Sequence, residues 1–340
     1  MFRKLKAILG IAALLLGTAL VFPATAGAVP THPAPATGLL WFDTELSGDY
    51  SGQLSQWTLD GTGTVYGPDP WALDCINGTQ ACVGYYDMIG VADFDRDGRS
   101  DLMTYDSNHA AVVIYGDARS TAGAPRYLDR TCTPAFGCGG QARPVGIRDV
   151  DGDGYQDLMW FDADSGAVFT WLLDGAAHVV GVQTVNVPCD RASGCSFSWK
   201  PIAVGDVNDD GHADVLWWDR DSGIVGAWLL DGAGHLITRL DLDWRCSGGT
   251  LGTCAGEWRP VGLGDLNGDG HQDLMWYDST TGEVSSWLLN GYGNVVTKQP
   301  LQWACSYRST CANHWVIVGI VDPDRRVPGL PPVCRLCRGT

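Results

Sequence analysis

The chain has 340 residues, with 39 acidic side chains against 22 basic ones and a formal charge of -17. A surface so acidic argues against nucleic acid and anionic membrane as partners. The length suits one large β domain or two smaller ones, and internal repetition decides between them.

Arg3, Lys4 and Lys6 precede an apolar stretch from Ala7 to Phe22, and the small-residue segment ATAGA follows. That is the layout of a secretory signal peptide over residues 1–28, cleaved after Ala26 or Ala28. A retained membrane anchor is the alternative, but the stretch is short for a span and no other segment is long enough. Cleavage leaves a secreted or extracytoplasmic chain without a membrane span, and loss of three basic residues takes the formal charge from -17 to -20.

The mature chain repeats. GVADFDRDGRSDLMTYD from Gly90, GIRDVDGDGYQDLMWFD from Gly146, VGDVNDDGHADVLWWD from Val204 and GLGDLNGDGHQDLMWYD from Gly262 share one pattern. Its first Asp falls at 93, 149, 206 and 265, spacings of 56, 57 and 59 residues. Each copy continues through a polar turn into GAVFTWLLDG, GIVGAWLLDG or GEVSSWLLNG. Alternating apolar residues punctuated by Asp-Gly or Asn-Gly read as short antiparallel strands joined by tight hairpins. One repeat yields about four strands, as in RPVGLGDL, DLMWYD, EVSSWLL and NVVTKQPLQW, with the acidic loop between the first two.

The chain begins in mid-repeat, because GLLWFD (38–43) and GQLSQWTLDG (52–61) match the second and third strands without a first. HWVIVGIVDPD (314–324) supplies the missing strand. Joined, the ends make a fifth repeat, the device by which a β-propeller closes its ring and protects its strand edges. The expected fold is therefore all-β, a five-bladed propeller over residues 29–327 followed by a short tail at 328–340, and the chain is expected to be a monomer.

The cysteines agree with that count. Cys75/Cys82, Cys132/Cys138, Cys189/Cys195, Cys246/Cys254 and Cys305/Cys311 place one close couple in each inter-blade segment. Local disulfides are the economical reading in an exported chain; zinc is the rival, although no His recurs beside the couples. In the tail, Cys334 and Cys337 form a CxxC that could be a strained local disulfide, a clip or a redox pair. NGT at Asn77 is a glycosylation sequon whose relevance depends on the host.

In the acidic loops, Asp, Asp or Asn, Asp, Gly and Asp occupy positions 1, 3, 5, 6 and 9. Alternate oxygens around a Gly-permitted turn suit a hard cation, calcium best, with the backbone carbonyl of Arg99, Tyr155, His212 or His271 at position 7. An EF-hand would need Glu at position 12; here Thr104, Trp160, Trp217 and Trp276 stand there, so the position-9 carboxylate would close the shell. The alternative is a metal-free Asp/Asn/Gly turn, in which four carboxylates would repel one another.

The short strands around D-x-[DN]-x-D-G-x-x-D resemble the FG-GAP or VCBS repeats of integrin α-subunit propellers and many bacterial exported proteins, and the resemblance covers nearly the whole mature chain. It implies a propeller with calcium in hairpin loops, about four ions in all. Carried over position by position, the ligands are Asp93, Asp95, Asp97 and Asp101; Asp149, Asp151, Asp153 and Asp157; Asp206, Asn208, Asp210 and Asp214; and Asp265, Asn267, Asp269 and Asp273. In the fifth copy Ile320 is expected at the first ligand position and Arg325 at the glycine, leaving Asp322 and Asp324 and no ion. Integrin propellers have seven blades; the count of five comes from this sequence.

No nucleophile elbow, HExxH or recurrent Ser/His/Asp set is present. Trp41, Trp160, Trp217 and Trp276 recur on the second strand, followed by Phe42, Phe161, Trp218 and Tyr277, while Trp57, Trp171, Trp228 and Trp287 recur on the third. One member of each alternating pair is expected to face the neighbouring sheet as core, and an aromatic left at a blade edge could stack on a sugar. Two functional classes stand: a non-catalytic binding or adhesion module for glycan or extracellular protein, and a propeller-based hydrolase or lyase. An enzyme needs one asymmetric polar cluster, whereas the sequence shows equivalence between blades, which favours binding.

Overall fold

The computed structural model describes residues 37–43, 53–59, 65–74, 86–118, 124–133, 138, 141–189, 195, 198–245, 258–278, 283–304 and 315–321. The leader at 1–28, the cysteines at 75, 82, 246, 254, 305, 311, 334 and 337, Asn77, Asp322 and Asp324 lie outside the described residues.

Described residues form twenty strands and no helix. In chain order they are β1 (Gly38–Asp43), β2 (Gln53–Leu59), β3 (Val65–Asp74), β4 (Tyr86–Ala92), β5 (Asp101–Asp106), β6 (Ala111–Tyr115) and β7 (Arg126–Thr131). Next come β8 (Ala142–Arg148), β9 (Asp157–Asp162), β10 (Val168–Leu173), β11 (Val179–Thr184), β12 (Trp199–Gly205), β13 (Asp214–Asp219) and β14 (Ile224–Leu230). The series ends with β15 (Leu236–Arg245), β16 (Trp258–Gly264), β17 (Asp273–Asp278), β18 (Glu283–Leu289), β19 (Val295–Ala304) and β20 (Trp315–Val321). They pair into five antiparallel four-stranded sheets: β4 to β7, β8 to β11, β12 to β15 and β16 to β19 are blades one to four, and β20-β1-β2-β3 is the closing blade. The innermost strands β4, β8, β12, β16 and β20 lie against one another in that order, and β20 returns to β4. The fold is a five-bladed β-propeller closed by its C-terminal strand, as the sequence leads one to expect.

Period-2 alternation explains why the ring holds together. In β9, Leu158 and Trp160 join the core between blades one and two, while Met159 and Phe161 join the core between blades two and three. The other second strands behave alike, so the protein has five apolar seams and no single centre. Both members of the pairs Trp160/Phe161, Trp217/Trp218 and Trp276/Tyr277 thus face a seam, on opposite sides of the sheet, which corrects the expectation that only one would. Trp41, Trp160, Trp217 and Trp276 are at most 1% exposed. Tyr105, Phe161 and Tyr277 meet Trp160, Trp217 and Trp41 of the next blade edge to face, with ring centroids 5.4, 5.4 and 5.7 Å apart. Blade one has Thr104 in place of this tryptophan, and its seam with the closing blade takes in Trp71.

Each inner strand of blades one to four carries a bulge, between Met88 and Gly90, Pro144 and Gly146, Pro201 and Ala203, or Pro260 and Gly262. The bulges sharpen the local twist that five wedge-shaped sheets need to meet at a common axis. At Gly90 a methyl group would lie 3.0 Å from Ile147 of the next blade, so glycine permits that close approach. Cys132–Cys138 and Cys189–Cys195 form disulfides, and Cys138 and Cys189 with Cys195 are buried in adjacent seams.

Deleting residues 314–327 removes β20 and leaves β1 as an open edge flanked by two exposed seams. The truncated chain should aggregate or become protease-sensitive, as size-exclusion chromatography and limited proteolysis would show; a truncation as stable as the full chain would rule out closure. Non-reducing peptide mapping should recover Cys132 with Cys138 and Cys189 with Cys195.

Candidate functional site

The four acidic loops leave the inner strands at Asp93, Asp149, Asp206 and Asp265 and re-enter the sheets at Asp101, Asp157, Asp214 and Asp273, the first residues of β5, β9, β13 and β17. The position-1 carboxylate folds its own loop. Asp206 accepts the amides of Asp210 and Gly211 at 3.1 and 2.9 Å, and Asp149 those of Gly152 and Gly154 at 2.8 and 2.9 Å. Position 5 accepts the amide of position 7, at 2.7 Å from Tyr155 to Asp153 and 2.9 Å from His271 to Asp269. Gly98, Gly154, Gly211 and Gly270 hold φ of 85 to 91° at position 6, the left-handed turn for which glycine is needed.

The position-9 carboxylate has a role the sequence reading missed. Asp101, Asp157, Asp214 and Asp273 are wholly buried. One oxygen accepts the amide of position 2, from Val150 at 2.9 Å or Val207 at 3.0 Å, and the other accepts an amide beyond or at the end of the third strand, from Leu173 at 2.9 Å or Leu230 at 3.0 Å. Phe94 with Asp117, and Leu266 with Leu289, repeat the clamp. The residue therefore ties the loop to the middle of the sheet. Burial pushes Asp157, Asp214 and Asp273 up to about 7 and Asp101 to about 6, against the lowering effect of the two amides. Its spacing, sixteen residues before the amide that ends the third strand, was the signal available in the sequence.

Oxygens of Asp93, Asp95 and Asp101 converge within 4.8 Å of one another, as do those of Asp149, Asp151 and Asp153. In the third and fourth loops Asn208 and Asn267 stand at position 3 and donate to Asp210 and Asp269 at 2.9 Å. The structure thus gathers positions 1, 3 and 9 in the first loop and 1, 3 and 5 in the second, while in the third and fourth the asparagines join positions 3 and 5 and reduce the local charge.

Adjacent loops are also bridged in pairs. Position 4 has positive φ in all four, with Gly152 and Gly268 in two copies but Arg96 at 61° and Asp209 at 58° in the others. Those two residues are the ones that reach across. Arg96 donates to the carbonyls of Asp153 and Gly154 at 2.9 and 3.0 Å and lies 3.8 Å over the Tyr155 ring. Asp209 pairs with His271 at 2.5 Å. A non-glycine residue in this conformation carries strain, which these contacts offset.

The closing blade differs, and one expectation about it is corrected. Ile320 pairs with Leu39 as Leu263 pairs with Leu274, so Ile320 is an inner-strand residue and does not stand at the first ligand position. Gly38 stands where the other blades have the clamp carboxylate, and the Gln56 side chain fills the space, 2.5 Å from where a Cβ would sit. The Leu59 amide, equivalent to that of Leu289, donates instead to the Thr37 carbonyl at 2.7 Å.

Residues 149–217 and 206–276 match the FG-GAP-like repeat family. The chain thus carries FG-GAP-like repeats within a five-bladed β-propeller, which bears out the resemblance read from the motifs. No curated protein matches it in sequence. Among solved structures it is similar to a lectin of Agrocybe aegerita described as recognising non-reducing terminal N-acetylglucosamine, with 16% identity, 85% of this chain and 86% of the lectin covered, and a TM-score of 0.46. A putative 6-phosphogluconolactonase of Bacteroides uniformis shares 12% identity over 78% of this chain and 68% of that one, with a TM-score of 0.34. The V. cholerae biofilm matrix protein Bap1 shares 12% over 78% of this chain and 39% of that one, with a TM-score of 0.29.

Two outcomes follow from the clamp. Asp214→Ala strands two buried amides, at about 1–3 kcal/mol each, and should lower stability by roughly 2–5 kcal/mol in denaturant titration. Because folding raises these carboxyls from 3.8 to about 7, the folded chain binds protons more tightly than the unfolded chain between those values. In chelator, stability should therefore fall as pH rises through that window, measured as a declining melting temperature. Asp231, held at about 2 by the His235 amide and ring, titrates below it.

Proposed function

We propose that the chain is an exported, calcium-stabilised propeller that acts as a non-catalytic binding or adhesion module for a glycan or an extracellular protein. The donor set supports the metal: clustered oxygens on a loop with a left-handed glycine suit calcium, which accepts six to eight oxygens. Asp93, Asp95, Asp97 and Asp101 and their counterparts in the second loop, with Asp206, Asn208, Asp210 and Asp214, and Asp265, Asn267, Asp269 and Asp273, would hold it. When bound, the ion offsets two of the loop's negative charges; ions at all four loops would take the mature charge from -20 to -12, and ions at three to -14.

The observation that carries the binding reading is equivalence on the rim. Val180, Ile237 and Val296 occupy the same bulge position in the outer strands of blades two, three and four, and are 61%, 60% and 60% exposed. The preceding turns present Ala176, Ala233 and Tyr292, the last 77% exposed. A surface repeated from blade to blade suits weak contacts that add by multivalency.

One feature favours the enzymatic reading. The central channel, about 430 Å³, is lined by the inner strands, and Arg148, Gln156 and Gln272 lie on its lining without fivefold equivalents. If that reading held, Arg148→Ala would abolish activity on an extracellular polymer while leaving melting unchanged.

Chelation should lower the melting temperature and added calcium restore it, because an ion that binds only the folded chain stabilises by mass action. A glycan array and an extracellular-protein array, each run with and without calcium, should show calcium-dependent capture that Val180→Asp, Ile237→Asp and Val296→Asp together remove. Unchanged melting in chelator would refute the metal, and turnover of a polymer would refute the non-catalytic reading.

A further inference from the structure

The first loop differs from the other three in having a cation of its own. Arg126, the first residue of β7, places Nη2 3.0 Å from Asp95 Oδ2 and 3.7 Å from Asp101 Oδ2. Asp95 and Asp101 are positions 3 and 9, and with Asp93 they make up the converged oxygen cluster of that loop. The guanidinium is one-third exposed, whereas the Asp101 side chain is wholly buried, so the pair sits at the inner edge of the cluster. Arg99 of the same loop pairs with Asp117 at 2.5 Å, adding a second positive charge nearby. Among the described residues, no arginine or lysine pairs with a carboxylate of the other three loops. Arg96 reaches the second loop through the carbonyls of Asp153 and Gly154, which leaves those carboxylates open.

We propose that Arg126 is the resident counter-ion of the 93–101 loop, so that the folded chain takes calcium tightly at the loops starting at Asp149, Asp206 and Asp265 and excludes it from the first. The inference rests on the calcium reading of the loops. Its physical basis is competition for the same lone pairs. A guanidinium hydrogen-bonded to Asp95 occupies an oxygen that the ion would need at 2.3–2.6 Å, and two cations against one cluster repel each other. The arginine is delivered by the sheet, so its local concentration is fixed. The first loop keeps the fold of its neighbours, since Asp93 still accepts the amides of Asp97 and Gly98 at 3.0 and 2.9 Å.

The test is calcium titration calorimetry on the mature full chain, with calcium as the only ligand, for the unaltered protein, Arg126→Gln and Arg126→Lys. The expected counts of tight ions are three, four and three, with affinity at the first loop rising about ten-fold or more in Arg126→Gln. Melting in saturating calcium checks that each variant is folded. Should Arg126→Gln fail to fold, Asp95→Ala takes its place: the count stays at three if Arg126 already blocks that loop, and falls from four to three if it does not. Four tight ions in the unaltered protein, or three in folded Arg126→Gln, would overturn the proposal while leaving the calcium reading intact. No bound ion in any variant would overturn both.

Discussion

The fold depends on a charge placed where charge is costly. Each of Asp101, Asp157, Asp214 and Asp273 sits fully buried at the start of a second strand, and its two oxygens collect one amide from the loop before it and one from the chain sixteen residues after it. An apolar side chain of that size would leave two amides unpaired in an apolar seam, and an asparagine, with one acceptor oxygen in place of two, would leave one of the two sites without its acceptor. A carboxylate satisfies both, and charge-assisted bonds of this kind are about twice as strong as neutral ones. The cost is desolvation, which draws the group toward protonation. Much of the remaining loop chemistry can be understood as managing that cost. Oxygen-bearing side chains at positions 1, 3 and 5 cluster beside the clamp, and in the first loop the chain brings a guanidinium within reach of the buried oxygen.

The closing blade shows the same constraint by its exception. Its second strand begins at Gly38 and has no carboxylate at the clamp position, so the chain answers each requirement separately. The Thr37 carbonyl takes the amide of Leu59, and Gln56, itself buried, fills the space and accepts the Trp71 indole at 3.3 Å. Neutral groups suffice there, and no ionic charge enters that part of the seam.

The fold was legible because its signals are redundant. Alternation in DLMWFD and EVSSWLL, Asp-Gly turns and a regular spacing all point to the same strands, and the split repeat fixes the closure. The aromatic pairs were half legible: a period of two assigns opposite faces, but in a propeller both faces meet neighbouring sheets, so Trp160 and Phe161 are both core. The clamp was not legible as such, since Asp157 reads as a ligand from its loop spacing and its second partner, Leu173, belongs to another strand. Arg126 was invisible for the same reason. It lies 31 residues from Asp95, and only the pairing of β6 with β7 brings it to the loop. The displacement of Ile320 was a register error, which strand pairing resolves and a decayed motif does not.

These devices divide the molecule into parts that cannot vary and parts that can. Seams, clamps and loops couple each blade to its neighbours, and Arg96 and Asp209 accept left-handed strain to bridge loops where glycine would have sufficed for the turn. The outer strands have no such burden beyond contacts such as the Val179 amide donating to Asp129 of the preceding blade at 2.9 Å. The blades differ most freely at the turns before them, where Ala176, Ala233 and Tyr292 replace one another at a conserved bulge geometry. A ring whose rim residues differ from blade to blade while its seams and clamps repeat can take substitutions at the rim without reopening the problem of the buried carboxylates.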